Sequence, residues 1–174
     1  MDEHSIYRFS VTKLNGEEIN LNNYRDKVLL IVNTASQCGF TPQLKQLEDL
    51  RNEFEGQDFE ILAFPSNDFG RQEPLDGSSI GKFCKINFGA HFPVFGKVKV
   101  KGEDAHPLFK FLGSKKQNGK VQSAPLWNFH KYLINRNGEV IDYFYPFTKP
   151  TAARLKRRIA QLIAEQPEIH TQAC

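Results

Sequence analysis

Residues 27–54 read KVLLIVNTASQCGFTPQLKQLEDLRNEF, and this stretch decides the fold class of the chain. Its apolar run, residues 28–32, has the length and composition of a buried strand. Apolar residues then recur at spacings of three and four, at Leu44, Leu47, Leu50 and Phe54. This period predicts an amphipathic helix. Cys38 therefore lies where a strand passes into a helix.

A second β-prone run, FEILAF at residues 59–64, follows the predicted helix and ends at Pro65. Strand, helix and strand in this order predict a parallel βαβ unit with a right-handed crossover. With 174 residues, the chain has the length of one domain. We interpret residues 1–174 as a single α/β domain and expect flexible tails at 1–5 and 166–174.

Two Asn-Gly pairs predict tight turns between strands. Asn15-Gly16 follows an alternating run and predicts an N-terminal β-hairpin, and Asn137-Gly138 predicts a second hairpin near the other end of the sequence. A further strand is predicted at 93–100, and a short helix capped at Ser78 or Ser79 is predicted to carry Cys84. Together these elements indicate a central mixed β-sheet with helices on both sides.

Composition argues against several classes of protein. The net charge is only +3, with no sustained run of lysine and arginine, which argues against nucleic-acid binding. No apolar stretch approaches the roughly 20 residues that a membrane-spanning helix needs. Residues 1–6 carry acidic groups and precede no apolar signal core, so we expect a cytoplasmic protein.

The three cysteines are Cys38, Cys84 and Cys174. An odd number with wide spacing suits neither a disulfide framework nor a Cys-x-x-Cys zinc site, so we expect thiols in a reducing compartment. At Cys38, the N–H groups and the dipole of a helix N-terminus favour the thiolate, which is the nucleophilic form. The alternative is a buried cysteine that serves as a small apolar side chain.

Three blocks of sequence carry a family resemblance: NTASQCGFT at 33–41, FPSNDFGRQEP at 64–74, and WNF at 127–129. In their order and spacing they resemble the signature blocks of the glutathione peroxidase family, and the likeness extends from about Tyr7 to Ile163. The resemblance implies a thioredoxin-like fold, which agrees with the βαβ unit predicted from the residues. It implies no cofactor.

The chemistry that the resemblance implies is the reduction of a hydroperoxide. Cys38 occupies the position where some relatives carry selenocysteine, and its thiolate would attack the O–O bond and become a sulfenic acid. Trp127 and Asn128 match the family's neutral N–H donors. Such donors stabilise a thiolate and the charge that develops on the leaving oxygen.

The second block departs from the family pattern at two positions. Ser66 stands where the family usually has cysteine, and Asp68 stands where it usually has glutamine. An ionised carboxylate near the sulfur would disfavour the thiolate. Three alternatives stay open for Asp68: it is protonated, it accepts a proton, or it points away and Asn67 substitutes.

Cys84 resembles the resolving cysteine of the family's two-cysteine branch. Condensation with an oxidised Cys38 would form an intramolecular disulfide, for which the helix that carries Cys84 must partly unwind. Thioredoxin is then the expected reductant, since a dithiol clears such a bond readily. The segment between Leu112 and Trp127 is short and lacks the insertion associated with tetrameric members of the family, so the resemblance implies a monomer with a site open to bulky and lipid hydroperoxides. Cys174 is expected to take no part.

Other interpretations compete with this one. The chain could be a glutathione-dependent one-cysteine peroxidase, or a peroxide sensor that relays oxidation to a partner protein. A general disulfide oxidoreductase would need a closely spaced cysteine pair, which the sequence lacks. A metal-binding module would draw on the scattered histidines, so no metal site is predicted; these are His4, His91, His106, His130 and His170.

Overall fold

The computed structural model describes residues 3–167. Its first paired strands, β1 (Ser10–Thr12) and β2 (Glu18–Asn20), are antiparallel and form the predicted N-terminal hairpin. The hairpin is flanked by two 3-10 turns, at Ile6–Arg8 and Leu21–Tyr24. Cys174 and His170, which figured in the sequence analysis, lie outside the described residues.

The central sheet has four strands, β3 (Val28–Thr34), β4 (Phe59–Pro65), β5 (Lys131–Ile134) and β6 (Val140–Phe144). Their spatial order is β4-β3-β5-β6. β3 pairs with β4 in parallel and with β5 antiparallel, and β6 is antiparallel to β5. The mixed sheet and the second hairpin are therefore confirmed.

Within residues 3–167, five helices surround the sheet: α1 (Gln43–Glu53), α2 (Ser78–Phe88), α3 (Pro107–Gly113), α4 (Lys115–Asn118) and α5 (Ala153–Ala164). Alternate residues of β3 enter two separate apolar clusters. Leu30 lies in the cluster that also holds side chains of α1, α2 and α5. Ile31 lies in the cluster with α3 and the hairpin. Because both faces of β3 are covered, its residues 28–32 are all apolar rather than alternating.

Three local predictions are wrong. Residues 93–100 form no strand; they make only isolated bridges, from Val94 to Ala63 and from Phe95 to Lys13. The residue that precedes α2 is Gly77, so Ser78 and Ser79 are both already inside the helix and neither is its cap. Ser5 was expected in a flexible tail, but it is buried and its side chain accepts a hydrogen bond from the backbone N–H of Tyr7.

Candidate active site

Cys38 lies in the turn that connects β3 to α1. Its side chain is buried, with 9% of its surface exposed. The backbone N–H of Cys38 donates to Thr41 Oγ1 at 2.8 Å, and that hydroxyl donates to the carbonyl oxygen of Ala35, also at 2.8 Å. The threonine of the first signature block therefore folds the chain back on itself around the cysteine.

The sulfur of Cys38 accepts a hydrogen bond within the same turn. The backbone N–H of Phe40 donates to Sγ at 3.4 Å. α1 begins five residues after the cysteine, at Gln43, so the direct donor belongs to the turn rather than to the helix. A neutral N–H donor on sulfur stabilises the thiolate without adding a competing charge.

Asn33, near the end of β3, fastens the turn that holds Trp127 and Asn128. Its side-chain amide donates to the carbonyl oxygen of Trp127 at 3.0 Å, and its own carbonyl oxygen accepts from the N–H of Phe129 at 2.6 Å. Phe129 has a φ of 69°, a left-handed conformation uncommon for a residue with a side chain. The strand that leads to Cys38 thus holds the first and third sequence blocks together.

The indole ring of Trp127 packs on the second block. A Cβ atom on Gly70 would lie 3.1 Å from the ring, and the ring centroid of Phe69 is 5.5 Å from that of Trp127. Trp127 is half-buried. Within residues 3–167, its indole N–H donates no hydrogen bond, so this donor is available to a bound molecule.

Asn128 is fully buried and is held by Gln72, a residue that the sequence analysis did not single out. The Asn128 amide donates to Gln72 Oε1 at 2.9 Å. The backbone carbonyl of Gln72 in turn accepts from the N–H of Gln37, next to Cys38, at 2.9 Å. Gln72 lies in the quoted FPSNDFGRQEP block, four residues after Asp68, so its position in the motif was the available signal.

Asp68 is engaged with the backbone of a neighbouring loop. Its Oδ2 accepts from the N–H of Val100 at 2.7 Å and from that of Lys101 at 3.2 Å. Asn67 is also engaged, since its Oδ1 accepts from the N–H of Glu73 at 3.0 Å. Both side chains therefore have structural partners within the second block and the loop beside it.

Cys84 is a buried thiol on α2, with 4% of its surface exposed. Cys38 and Cys84 belong to the same apolar cluster, and both are free thiols. Burial raises the pKa of Cys84 to about 12, and the charge of Glu73 adds to the shift. Glu73 is itself buried, and it accepts a hydrogen bond from the Ser36 hydroxyl at 2.7 Å. In this arrangement Cys84 is protonated and inert at neutral pH.

Known proteins resemble the chain along most of its length. A family model described as glutathione peroxidase matches residues 6–113. The glutathione peroxidase homolog BsaA of Halalkalibacterium halodurans is 48% identical over 159 residues, which cover 91% of this chain and 99% of that protein.

The chain belongs to the glutathione peroxidase family. The hydroperoxy fatty acid reductase gpx1 of Synechocystis is also similar, at 44% identity over 153 residues, covering 84% of this chain and 90% of that protein. The apo crystal structure of Trgpx superimposes with a TM-score of 0.76 at 36% identity, covering 94% and 98% of the two chains. These findings confirm the family resemblance and the thioredoxin-like fold.

Membership of the glutathione peroxidase family makes the protein a thiol peroxidase, an oxidoreductase that takes a peroxide as substrate and a thiol as reductant. Two further findings concern residues 3–167 alone. They contain no helix with the length and apolar content needed to cross a bilayer. They also contain no group of three or more His, Cys, Asp and Glu side chains arranged to hold a metal ion.

Proposed function

We propose that Cys38 is the peroxidatic residue and that Trp127 and Asn128 supply donors to the reaction. The Asn128 amide donates to Gln72 Oε1 and to Phe69 O, so it must leave one of these acceptors when it donates to the reacting oxygen. The thiolate sulfur attacks one oxygen of the hydroperoxide, an S–O bond forms, and the O–O bond breaks. The second oxygen leaves with the bonding pair and takes a proton, giving water or an alcohol, while Cys38 becomes a sulfenic acid. N–H donors directed at the developing oxyanion lower the barrier to this step.

A single observation carries this assignment: Asn33 bonds the backbone on both sides of Asn128. The hydrogen bonds to Trp127 O and from Phe129 N hold the donor turn at the end of the strand that leads to Cys38. Cys38 and Trp127, which are about 90 residues apart in sequence, are thereby kept at the same end of the sheet. Such fixed geometry removes the orientation cost of the reaction.

The contacts of Asp68 support the alternative in which its carboxylate is turned away from the sulfur. Its Oδ2 is held by the backbone N–H groups of Val100 and Lys101, so we assign it no part in proton transfer. Asn67 Oδ1 accepts from the N–H of Glu73, and we assign Asn67 the task of holding this block in place. We assign Gln72, the partner of Asn128, the task of orienting that amide.

Cys84 is proposed as the resolving residue. The thiol of Cys84 loses its proton, its sulfur attacks the sulfur of oxidised Cys38, and hydroxide leaves and is protonated to water, so that a disulfide forms. Both residues lie in one apolar cluster, which supports the pairing. A disulfide requires Cα atoms within about 7 Å, and local unwinding of α2 is the proposed route by which Cys84 reaches Cys38.

Thioredoxin is the proposed reductant, because a dithiol attacks a protein disulfide and then closes on itself. A monomer in the cytoplasm is proposed. Organic hydroperoxides are proposed as substrates alongside hydrogen peroxide. The name of the Synechocystis relative supports this. So does the 62% exposure of Leu126, an apolar residue next to Trp127 that can contact an acyl chain.

A coupled peroxidase assay tests this proposal by comparing thioredoxin with glutathione. Cys38→Ser should abolish turnover with either reductant. Cys84→Ser should abolish only the turnover that depends on thioredoxin. Cys174→Ser is the matched control and should leave both rates unchanged. Mass spectrometry after peroxide should find a Cys38–Cys84 linkage. Retention of turnover in Cys38→Ser contradicts the proposal, and a lasting mixed disulfide with one protein would indicate a sensor instead.

A further inference from the structure

Lys131 is a fully buried lysine at the start of β5, two residues after Phe129. Its Nζ donates to the carbonyl oxygen of Phe129 at 2.7 Å and to that of Pro146 at 3.3 Å. Within residues 3–167 it forms no ion pair. Burial lowers the pKa of Lys131 to about 7, as expected for an ammonium without a counter-ion.

The two oxygens that Lys131 binds belong to segments on both sides of the proposed site. Phe129 O ends the turn that carries Trp127 and Asn128. Pro146 O, in the segment after β6, also accepts from the Gln43 side-chain amide at 2.7 Å, and Gln43 is the first residue of the helix that follows Cys38. Lys131 thus binds the turn that carries Trp127 and Asn128 directly. It is linked to the first turn of α1 through the carbonyl oxygen of Pro146, which Gln43 also binds.

Stability does not account for a lysine at this position. Burying an ammonium without a carboxylate partner is costly, and an apolar side chain of similar length would fill the same space without that cost. The neighbours are apolar or neutral. Lys131 pairs with Val32 on β3 and Phe144 on β6. Burial, with the charge of Lys131, lowers the pKa of the adjacent His130 to about 4, so that the histidine is uncharged at neutral pH.

We propose that Lys131 is a positioning residue of this peroxidase, whose buried amino group fixes the Trp127–Phe129 turn against the first turn of α1. This inference rests on the proposed roles of Cys38, Trp127 and Asn128. The amino group touches only backbone oxygens and not the reacting atoms. Its effect on catalysis is therefore indirect, through the backbone that sets the direction of the Trp127 and Asn128 donors.

The test uses Lys131→Met, which keeps the length of the side chain and removes the donors. Trp127 is the chain's only tryptophan, so its fluorescence reports the turn directly. We expect Lys131→Met to fold, to shift the Trp127 emission maximum in the reduced protein, and to slow oxidation by hydrogen peroxide about tenfold or more, since small displacements at a reacting centre are costly. Lys110→Met, at an exposed position of α3, is the matched control and should change neither property.

Two outcomes would overturn the inference: an oxidation rate within twofold of the wild type, or an unshifted emission maximum, in folded Lys131→Met. If that variant does not fold, Lys131→Gln, which keeps a neutral amide as a donor, takes its place and is expected to be oxidised more slowly than the wild type. A wild-type rate in Lys131→Gln would also overturn the inference. Cys38→Ser, measured beside them, separates the two levels. Loss of oxidation in Cys38→Ser with full activity in Lys131→Met would leave the proposed function standing and remove only this inference.

Discussion

The side-chain amide of Asn33 donates a hydrogen bond to the backbone carbonyl of Trp127 at 3.0 Å, across 94 positions of sequence. The contact joins the strand before Cys38 to the turn with the proposed donors. Asn33 is fully buried, so the bond is shielded from water. Removing it tests whether the turn must be fixed for the peroxidase to work.

Asn33→Leu removes this amide and keeps the branching of the side chain, at a larger volume. We expect the second-order rate with hydrogen peroxide to fall by roughly ten- to a hundredfold, and the free energy of unfolding to fall by about 1 kcal/mol, the net contribution of one hydrogen bond. Stopped-flow tryptophan fluorescence and urea denaturation measure the two effects. Asn52→Leu, at an exposed position of α1, is the control; an equal loss of rate in both variants would contradict the assignment.

Gly70→Ala tests the contact between Gly70 and Trp127. Gly70 has a φ of +65°, and an added Cβ would lie 3.1 Å from the indole. Gly56→Ala is a matched control, because Gly56 has a φ of +80° and nothing within 4 Å. In both variants the free energy of unfolding should fall by about 1 kcal/mol because of backbone strain. Only Gly70→Ala should also lose peroxidase rate, and equal rates in the two variants would show that this packing is immaterial.

Asp68→Gln should keep or raise peroxidase turnover, since the carboxylate is occupied by the N–H groups of Val100 and Lys101. The longer amide fits these donors less well, so a loss of about 1–3 kcal/mol in the free energy of unfolding is expected. Steady-state assays at saturating reductant, paired with thermal denaturation, measure both. A large loss of turnover in protein that remains folded would mean that the carboxylate has a positive role.

Glu73→Gln should make the Cys84 thiol more acidic. Burial is the main cause of the raised pKa of Cys84 and the charge of Glu73 is the second, so removing that charge lowers the pKa and enlarges the thiolate fraction at any pH below about 12. Alkylation of Cys84 by iodoacetamide, followed between pH 7 and 10 in a Cys38→Ser background, should be faster in Glu73→Gln. Slower alkylation would instead assign Glu73 the task of accepting the thiol proton.

Lys131 should leave a signature in the pH dependence of stability. Its pKa is about 7 in the folded protein and 10.5 as a free side chain. Between these values the unfolded state binds more protons, so Lys131 makes the free energy of unfolding rise with pH, by about 1.4 kcal/mol per unit. Urea denaturation from pH 7 to 10 should show this slope in the wild type relative to Lys131→Met. Parallel curves for the two proteins would mean that the buried amine does not titrate there.

The elements that the sequence predicted well are those with a strong local pattern. The apolar run of β3 is a consequence of burial on both faces of the strand. The Leu44–Leu50 spacing of α1 is a consequence of burial on one face of the helix. Both patterns can be recognised without a structure. The prediction of a strand at 93–100 was wrong because this segment pairs with its neighbours only briefly. Val94 and Phe95 each make a single bridge. A local pattern does not reveal how long a pairing lasts.

The proposed site was accessible through its sequence blocks, and its supporting residues were not. Lys131 begins a strand, where a lysine is ordinarily a surface residue, and its amino group is enclosed by segments outside the strand, at Phe129 O and Pro146 O. Gln72 was not predicted because the glutamine position of the family pattern corresponds to Asp68 in this chain. Both residues act through contacts with chain segments far away in sequence, which no local period records.

The bridge at Ala63 has a consequence for self-association. β4 is an edge strand, and bare edges act as templates on which a second chain adds its own strand. Here the N–H of Ala63 donates to Pro93 O at 3.0 Å and its carbonyl accepts from Phe95 N at 2.9 Å, while Pro65 O accepts from Val98 N at 2.9 Å. The segment 93–98 therefore occupies these backbone groups of Ala63 and Pro65. A strand from a second molecule cannot pair with them, which protects this edge of the sheet against aggregation.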